Sequence, residues 1–326
     1  AINFEANPTF NLTVKIVDNS PIAPTGQVAM QTFTINLTDL SEVLTIGSAN
    51  WPASGGLTLK RTGDGKVHVL NSSNADVVPA HDFANVSKVQ VTGRSGTADV
   101  LTVDYSGDDP VPVGASDGLT FDGAAGAGDT IKFANFTFNQ LDTTFNSSTS
   151  ASIVDPSTTL GSISVVGTEG ITFDASVIAT NLKFVYGFGA DVVTFVDDAS
   201  SSNGVSTFSS SSSPLVTFPA AAGVTIDAGD GNNSVTLNSI EDAAGPAVTV
   251  LAGDGNDSLQ ASSVGRSVSL SGGGGNDSLV GGSGSDTLNG GDDNDTLSGG
   301  LGNDQLGGGN DTNTLYETAD ANYSVS

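Results

Sequence analysis

The chain has 326 residues, room for about two domains, and carries 36 acidic against 9 basic side chains, for a net charge of −27. So few Lys and Arg leave no basic patch for a nucleic acid, and the lack of cysteine excludes disulfides and thiolate metal sites. No stretch reads as a membrane span or a secretory leader; with Ala1 first and Met30 the single methionine, the sequence is expected to be a piece of a longer protein.

Residues 1–42 differ from the rest. FNLTVKIVDNS (10–20) and QTFTINLTDL (31–40) alternate apolar and polar side chains, the pattern of half-buried antiparallel strands, and the Pro- and Gly-bearing stretch 21–26 reads as their connection. With INFE (2–5), IVD (16–18) and TDLSE (38–42), this segment resembles the last strands of a cadherin-like repeat. Ser41 stands where that family has Asn and Glu42 where it has Asp. The resemblance implies a partial β-sandwich domain over 1–42 with Glu5, Asp18 and Asp39 as calcium ligands. Surface carboxylates on a strand pair are the competing reading.

From residue 43 a unit of strand, Gly-rich turn, Asp and strand recurs. KVQVTGRSGTADVLTV (88–103), LTFDGAAGAGDTIKF (119–133), LKFVYGFGADVVTF (182–195), VTIDAGDGNNSVTL (224–237), VTVLAGDGNDSLQ (248–260) and SVSLSGGGGNDSLV (267–280) are its clearest copies. Their turn-end marks fall at Asp99, Asp129, Asp191, Asn233, Asp257, Asp277 and Asp286, in steps of 30, 62, 42, 24, 20 and 9. A weaker unit at 163–173 is expected to split the 62 into two coils of about 31, and the Ser-rich stretch 200–213 to be a loop extruded from one coil. The steps predict an all-β fold: a right-handed parallel β-solenoid over 43–326 after a short antiparallel segment. Long coils at 43–227 shorten into a roll at 228–316, and 317–326 begin a following segment. LTLKRTGDGKVHVLNSS (57–73) reads as two strands around a GDG turn; with Trp51-Pro52 it is one candidate to cap the first coil, the cadherin-like segment being the other.

Residues 272–316 repeat in nines: GGGGNDSLV, GGSGSDTLN, GGDDNDTLS, GGLGNDQLG and GGNDTNTLY. Gly at positions 1 and 2 admits the positive φ that a tight turn needs. Leu at position 8 (279, 288, 297, 306 and 315) is the inward side chain of a three-residue strand and argues against a Gly/Asp-rich linker. Each turn presents carbonyls and one carboxylate, and two stacked turns can surround a hard cation with oxygens. Turns alternate sides, which gives one rail at 272/290/308 and another at 281/299. Residues 228–316 hold twelve acidic groups and one basic, Arg266, charges that repel unless cations lie between them.

This run resembles the RTX nonapeptide GGxGxDxUx, the calcium-binding parallel β-roll. The resemblance implies several Ca²⁺ ions. It assigns as ligands the position-6 carboxylates Asp257, Asp277, Asp286, Asp295 and Asp304. It adds backbone carbonyls at positions 1 to 4, drawn from Asp254, Gly272, Gly274, Gly281, Ser283, Gly291, Asp293, Gly300 and Gly302.

No enzyme is expected. GASDG (114–118) fits a nucleophile elbow, but His68 and His81 precede it and no helix follows. The adjacent pairs Asp108-Asp109, Asp197-Asp198 and Asp292-Asp293 point to opposite strand faces, which is wrong for acid/base work. Cadherin-like beside RTX repeats resembles large bacterial adhesins exported by type I secretion. That implies an extracellular structural or adhesive module at the cell surface, folding on Ca²⁺ outside the cell. Its partners would be calcium and surface or matrix proteins, glycans or further copies, with no nucleic acid and no membrane insertion. The rivals are the calcium-binding tail of a secreted enzyme and a glycan- or ice-binding face. Position 5, with Asn276, Ser285, Asn294, Asn303 and Thr312, is too mixed for a regular Thr rank.

Overall fold

Strands form where apolar and polar side chains alternate, and in the computed structural model they build an all-β chain with no α-helix among the described residues. These are 9–17, 28–36, 42–112, 118–125, 128–156, 162–187, 189–197, 205–211, 213–219, 223–238, 247–316 and 324–325. Glu5, Asp18, Asp39 and Ser116 lie outside them. Among the described residues no helix is long and apolar enough to cross a membrane. The chain divides into Ala1–Glu42 and Val43–Ser326. In the first unit, Thr9–Val17 pairs antiparallel with Val28–Asn36 over nine residues.

The second unit is a β-solenoid. Its chain passes back and forth between a 14-stranded and a 13-stranded sheet whose neighbouring strands are mostly parallel. Registers stack like on like: Leu101 beside Ile131, Ile131 beside Ile171, Val224 beside Val248, and Leu270 beside Leu288. Every second side chain therefore points between the sheets, and these form one apolar core. At the 14-stranded edge, Leu57–Arg61 and Lys66–Leu70 form the GDG hairpin, followed by the short His81–Asp82. The indole N–H of Trp51 donates to the Thr92 carbonyl at 2.8 Å, which ties that residue to the next coil.

Two expectations need correction. The step of 62 is not two coils of about 31. The coil through Gly170–Phe173 stacks on Thr130–Ala134, with Asp129 and Glu169, 40 residues apart, joined by a hydrogen bond. The additional length is an antiparallel meander, Thr137–Ser147, Ser150–Val154 and Ile163–Val166, within the 13-stranded sheet. The described part of 200–213 is likewise no extruded loop. Val205–Ser210 lies in the 14-stranded sheet between Val192–Asp197 and Ser213–Pro219. Its serines conceal a strand alternation that buries Ser206 and Phe208, followed by Val216 and Phe218.

The two meanders compensate each other. In each, the chain runs two strand places ahead and doubles back, so each sheet gains two strands. The next coil, Gly223–Asp227 and Ser234–Asn238, can then resume parallel pairing in both sheets. This level is filled with aromatic rings: Phe184 stacks on Phe208 at 4.8 Å and on Phe145 at 6.2 Å. Toward the C-terminus the interior narrows to Leu259, Leu279, Leu288, Leu297 and Leu306, all at most 1% exposed, with Leu315 partly buried at the end.

Candidate metal centre

The strands of the C-terminal coils are joined by turns that stack on both edges of the roll. Parallel pairing of Val268–Gly274, Thr287–Asp292 and Gln305–Gly309 brings the turns 272–277, 290–295 and 308–313 into one pile. The turns 281–286 and 299–304 lie on the other edge, following Ser278–Val280 and Thr296–Ser298.

The carboxylates at the turn ends point inward, and Asp257, Asp277, Asp286, Asp295 and Asp304 are each no more than 3% exposed. Each Oδ1 accepts the backbone N–H of a residue one coil earlier. Asn233 donates to Asp257 at 2.6 Å, Asp257 to Asp277 at 2.8 Å and Asp277 to Asp295 at 2.9 Å. On the other edge Val268 donates to Asp286 and Asp286 to Asp304, both at 2.8 Å. The second oxygens fare differently. Oδ2 of Asp286 accepts the Gly282 N–H at 2.7 Å. Oδ2 of Asp257, Asp277, Asp295 and Asp304 is buried with no hydrogen-bond partner, an expensive state for an ionised oxygen unless a cation meets it.

Asn233 shows what such a cation would touch. It occupies the same rung one coil before Asp257, and its Nδ2 donates to the carbonyls of Gly229 at 2.9 Å, Gly231 at 3.1 Å and Ala252 at 3.1 Å. Those are positions 2 and 4 of its own turn and position 1 of the next. At the far end Asn313 donates to the position-3 carbonyl of Asn310 at 3.0 Å. An amide NH₂ thus fills a cage of carbonyls. On the rungs between, Asp presents an oxygen in place of that donor, so the same cage would be oxygen on all sides. This donor set fits a hard divalent cation.

Glycine keeps the cage open. A Cβ on Gly272 would run into Asp277 Oδ2 and stand 2.8 Å from the Gly290 carbonyl oxygen. Gly291 has φ +122° and turns its missing Cβ against the Gly273 carbonyl. Among the sequence-assigned carbonyl donors, Gly272 and Gly281 are buried and Gly274, Gly291, Gly300 and Gly302 half-buried. Asp254, Ser283 and Asp293 are exposed, and Asp293 has φ +74°. Among the described residues no group of three or more His, Cys, Asp or Glu side chains converges as a metal cluster, so cation binding here depends on main-chain oxygens. Sequence reading missed Asn233 as the amide counterpart of the Asp rungs. Its alignment with Asp257 in the repeat was the available signal.

Burial pushes the carboxyl of Asp257 up to about 6. Burial, helped by negative Asp257, Asp295 and Asp293, pushes Asp277 up to about 7. Asp286 and Asp295 are raised by burial too, beside Asp304 and Asp293 respectively. Without metal, a folded carboxyl that holds its proton more tightly than the unfolded one stabilises the fold in acid. The contribution is full below about pH 4 and is lost as pH rises through 6 to 7. Metal-free protein is therefore expected to recover roll structure on acidification from pH 8 to pH 5, read by amide hydrogen exchange of 247–316. A roll that loosens over that range would contradict the buried, unpartnered state of these oxygens.

The RTX calcium-binding nonapeptide repeat, in four copies, matches residues 271–306 and 281–315. No curated protein matches the chain.

Proposed function

Because residues 271–315 are RTX nonapeptide repeats, which bind Ca²⁺, folded as a β-roll, we propose that this chain is a calcium-dependent structural module of a large secreted or cell-surface bacterial protein, with an adhesive rather than catalytic role. The observation that carries the reading is the run of buried, unpartnered Oδ2 atoms at Asp257, Asp277 and Asp295, bounded by amides at Asn233 and Asn313. The proposed ligands are the Oδ2 atoms of Asp257, Asp277, Asp295 and Asp304, with Asp286 completing the second rail. Carbonyls of Gly272, Gly274, Gly281, Ser283, Gly291, Asp293, Gly300, Gly302 and Asp254 join them. Bound Ca²⁺ would supply the positive charge that these crowded oxygens lack.

The chain's own part is to bring oxygens from successive coils together, which only the folded roll does, so binding and folding are linked. Extracellular sites of this chemistry work at about 10⁻⁴–10⁻³ M. A protein with such sites stays loose where calcium is scarce and closes where it is abundant, which fits export before folding. Calorimetry on the full chain is expected to give Ca²⁺ binding accompanied by a gain of β signal in circular dichroism. Mg²⁺ should give neither at the same concentration, because it dehydrates reluctantly and demands a tight octahedron. Tighter binding of Mg²⁺ than of Ca²⁺ would overturn the assignment.

A further inference from the structure

The carboxylate ladder does not begin at the matched repeats. In the N-terminal coils Asp99 donates its backbone N–H to Asp129 Oδ1 at 2.7 Å, and Asp129 donates its own to Glu169 Oε2 at 2.9 Å. This is the rung geometry of the roll, some 150 residues earlier in the chain. The glycine that opens each turn has the same surroundings as Gly272. A Cβ on Gly93 would stand 2.9 Å from Asp99 Oδ2 and 2.8 Å from the Gly123 carbonyl oxygen. One on Gly123 would stand 2.8 Å from Asp129 Oδ2 and press on the Gly167 carbonyl.

The two rungs differ in how their charge is met. Asp99 is the first carboxylate rung of this ladder. Arg94 closes that end: its Nε and Nη2 donate to Oδ1 at 2.9 and 2.6 Å, its backbone N–H donates to Oδ2, and its Nη1 holds the Pro52 carbonyl at 2.8 Å. Both oxygens of Asp99 are satisfied within the chain. Asp129 has no such partner. Its side chain is 0% exposed, and its Oδ2 is buried without a hydrogen bond. Its acidic neighbours are Asp99, Asp122 and Glu169.

We propose that Asp129 Oδ2, with the neighbouring carbonyl oxygen of Gly167, binds a further hard divalent cation of the Ca²⁺ class, in the N-terminal coils and outside the RTX repeats. The chemistry is that of the roll, all-oxygen and buried, but the site does not depend on the roll being occupied. Its role differs as well. The surrounding core of Phe121, Ile131, Phe133 and Phe173 is apolar and buried, so this cation pins a turn rather than folding a domain.

The test uses the full chain and Ca²⁺ alone, with hydrogen exchange read separately at 118–135 and 271–315, with and without chelator. Calcium is expected to slow exchange at 118–135 several-fold in the parent protein. Asp129→Asn is expected to abolish that response, because the amide can donate to the carbonyl oxygen as Asn233 does, while the response at 271–315 is kept. As a second readout, Tb³⁺ excited through Trp51, the single tryptophan, whose ring lies 6.4 Å from that of Phe121, should show sensitised emission. Asp129→Asn should remove that emission and Asp277→Asn leave it. A response at 271–315 with none at 118–135 in the parent protein overturns this site alone. So does exchange at 118–135 that follows pH but not Ca²⁺, which would make Asp129 a protonated carboxyl. Silence of 271–315 would instead overturn the calcium-dependent roll.

Discussion

Chelator is expected to strip amide protection from the strands between Ala247 and Tyr316 while the sheets from Leu57 to Asn238 stay folded, with exchange quickened several-fold at 118–135 alone. In the roll the inward side chains come down to one leucine per short strand, Leu259, Leu279, Leu288, Leu297 and Leu306. At about 25 cal/mol per Å² of buried apolar area such a ladder does not offset backbone ordering of about 1–2 kcal/mol per residue over Gly-rich turns. The carboxylates stacked along both edges oppose folding further until their charge is met. The N-terminal coils are built differently. Phe121, Phe133, Phe173, Phe184, Phe195, Phe208 and Phe218 are almost wholly buried, and several acidic groups of these coils have basic partners, as in Lys60–Asp104, Lys132–Asp174 and Lys183–Asp227. Hydrogen exchange read peptide by peptide decides the matter. Uniform loss along the whole chain would mean that calcium holds every coil, and no loss anywhere would remove calcium as the folding ligand of the roll.

Replacing Asp277 separates its two oxygens. Asp277→Ala removes the Oδ1 acceptor and leaves the buried Asp257 N–H without its partner, which costs about 1–3 kcal/mol before any loss of cation binding. Asp277→Asn keeps that acceptor and places an NH₂ where Oδ2 was. By analogy with Asn233, the amide then donates to the carbonyls of Gly273, Gly275 and Gly290. The alanine variant is expected to need several-fold more Ca²⁺ than the parent to reach half its β signal. The asparagine variant should bind fewer ions yet hold more structure than the parent in chelator. Native mass spectrometry for ion count and circular dichroism for structure read the two effects apart. If both variants lost structure equally in chelator, Asn233 would be no guide to the cation's place.

Much of this was legible in the sequence because the signals are local. A strand of three residues with Leu in the middle has one face to bury, and Gly with Asp five residues on, recurring every nine, has one turn to make. The nonapeptides therefore predicted the Leu ladder and the turns that alternate between the two edges. The GDG hairpin at 57–70 was legible for the same reason. What the sequence left open is which strand lies beside which once the steps lengthen. A strand such as Ile163–Val166 can follow its predecessor around the coil or double back along the sheet with the same alternation and the same buried face. Only the packed sheets decide, because two antiparallel meanders, one per sheet, add equal height and let parallel stacking resume at Gly223–Asp227 and Ser234–Asn238. The unpartnered oxygens were equally hidden. Asp99, Asp129 and Asn233 look alike as turn-end residues in a repeat alignment. Arg94 satisfies the first, an amide satisfies the last, and Asp129 is left with one bare oxygen, because a hydrogen-bond inventory belongs to neighbours that the chain brings together from 5, 24, 30 and 40 residues away.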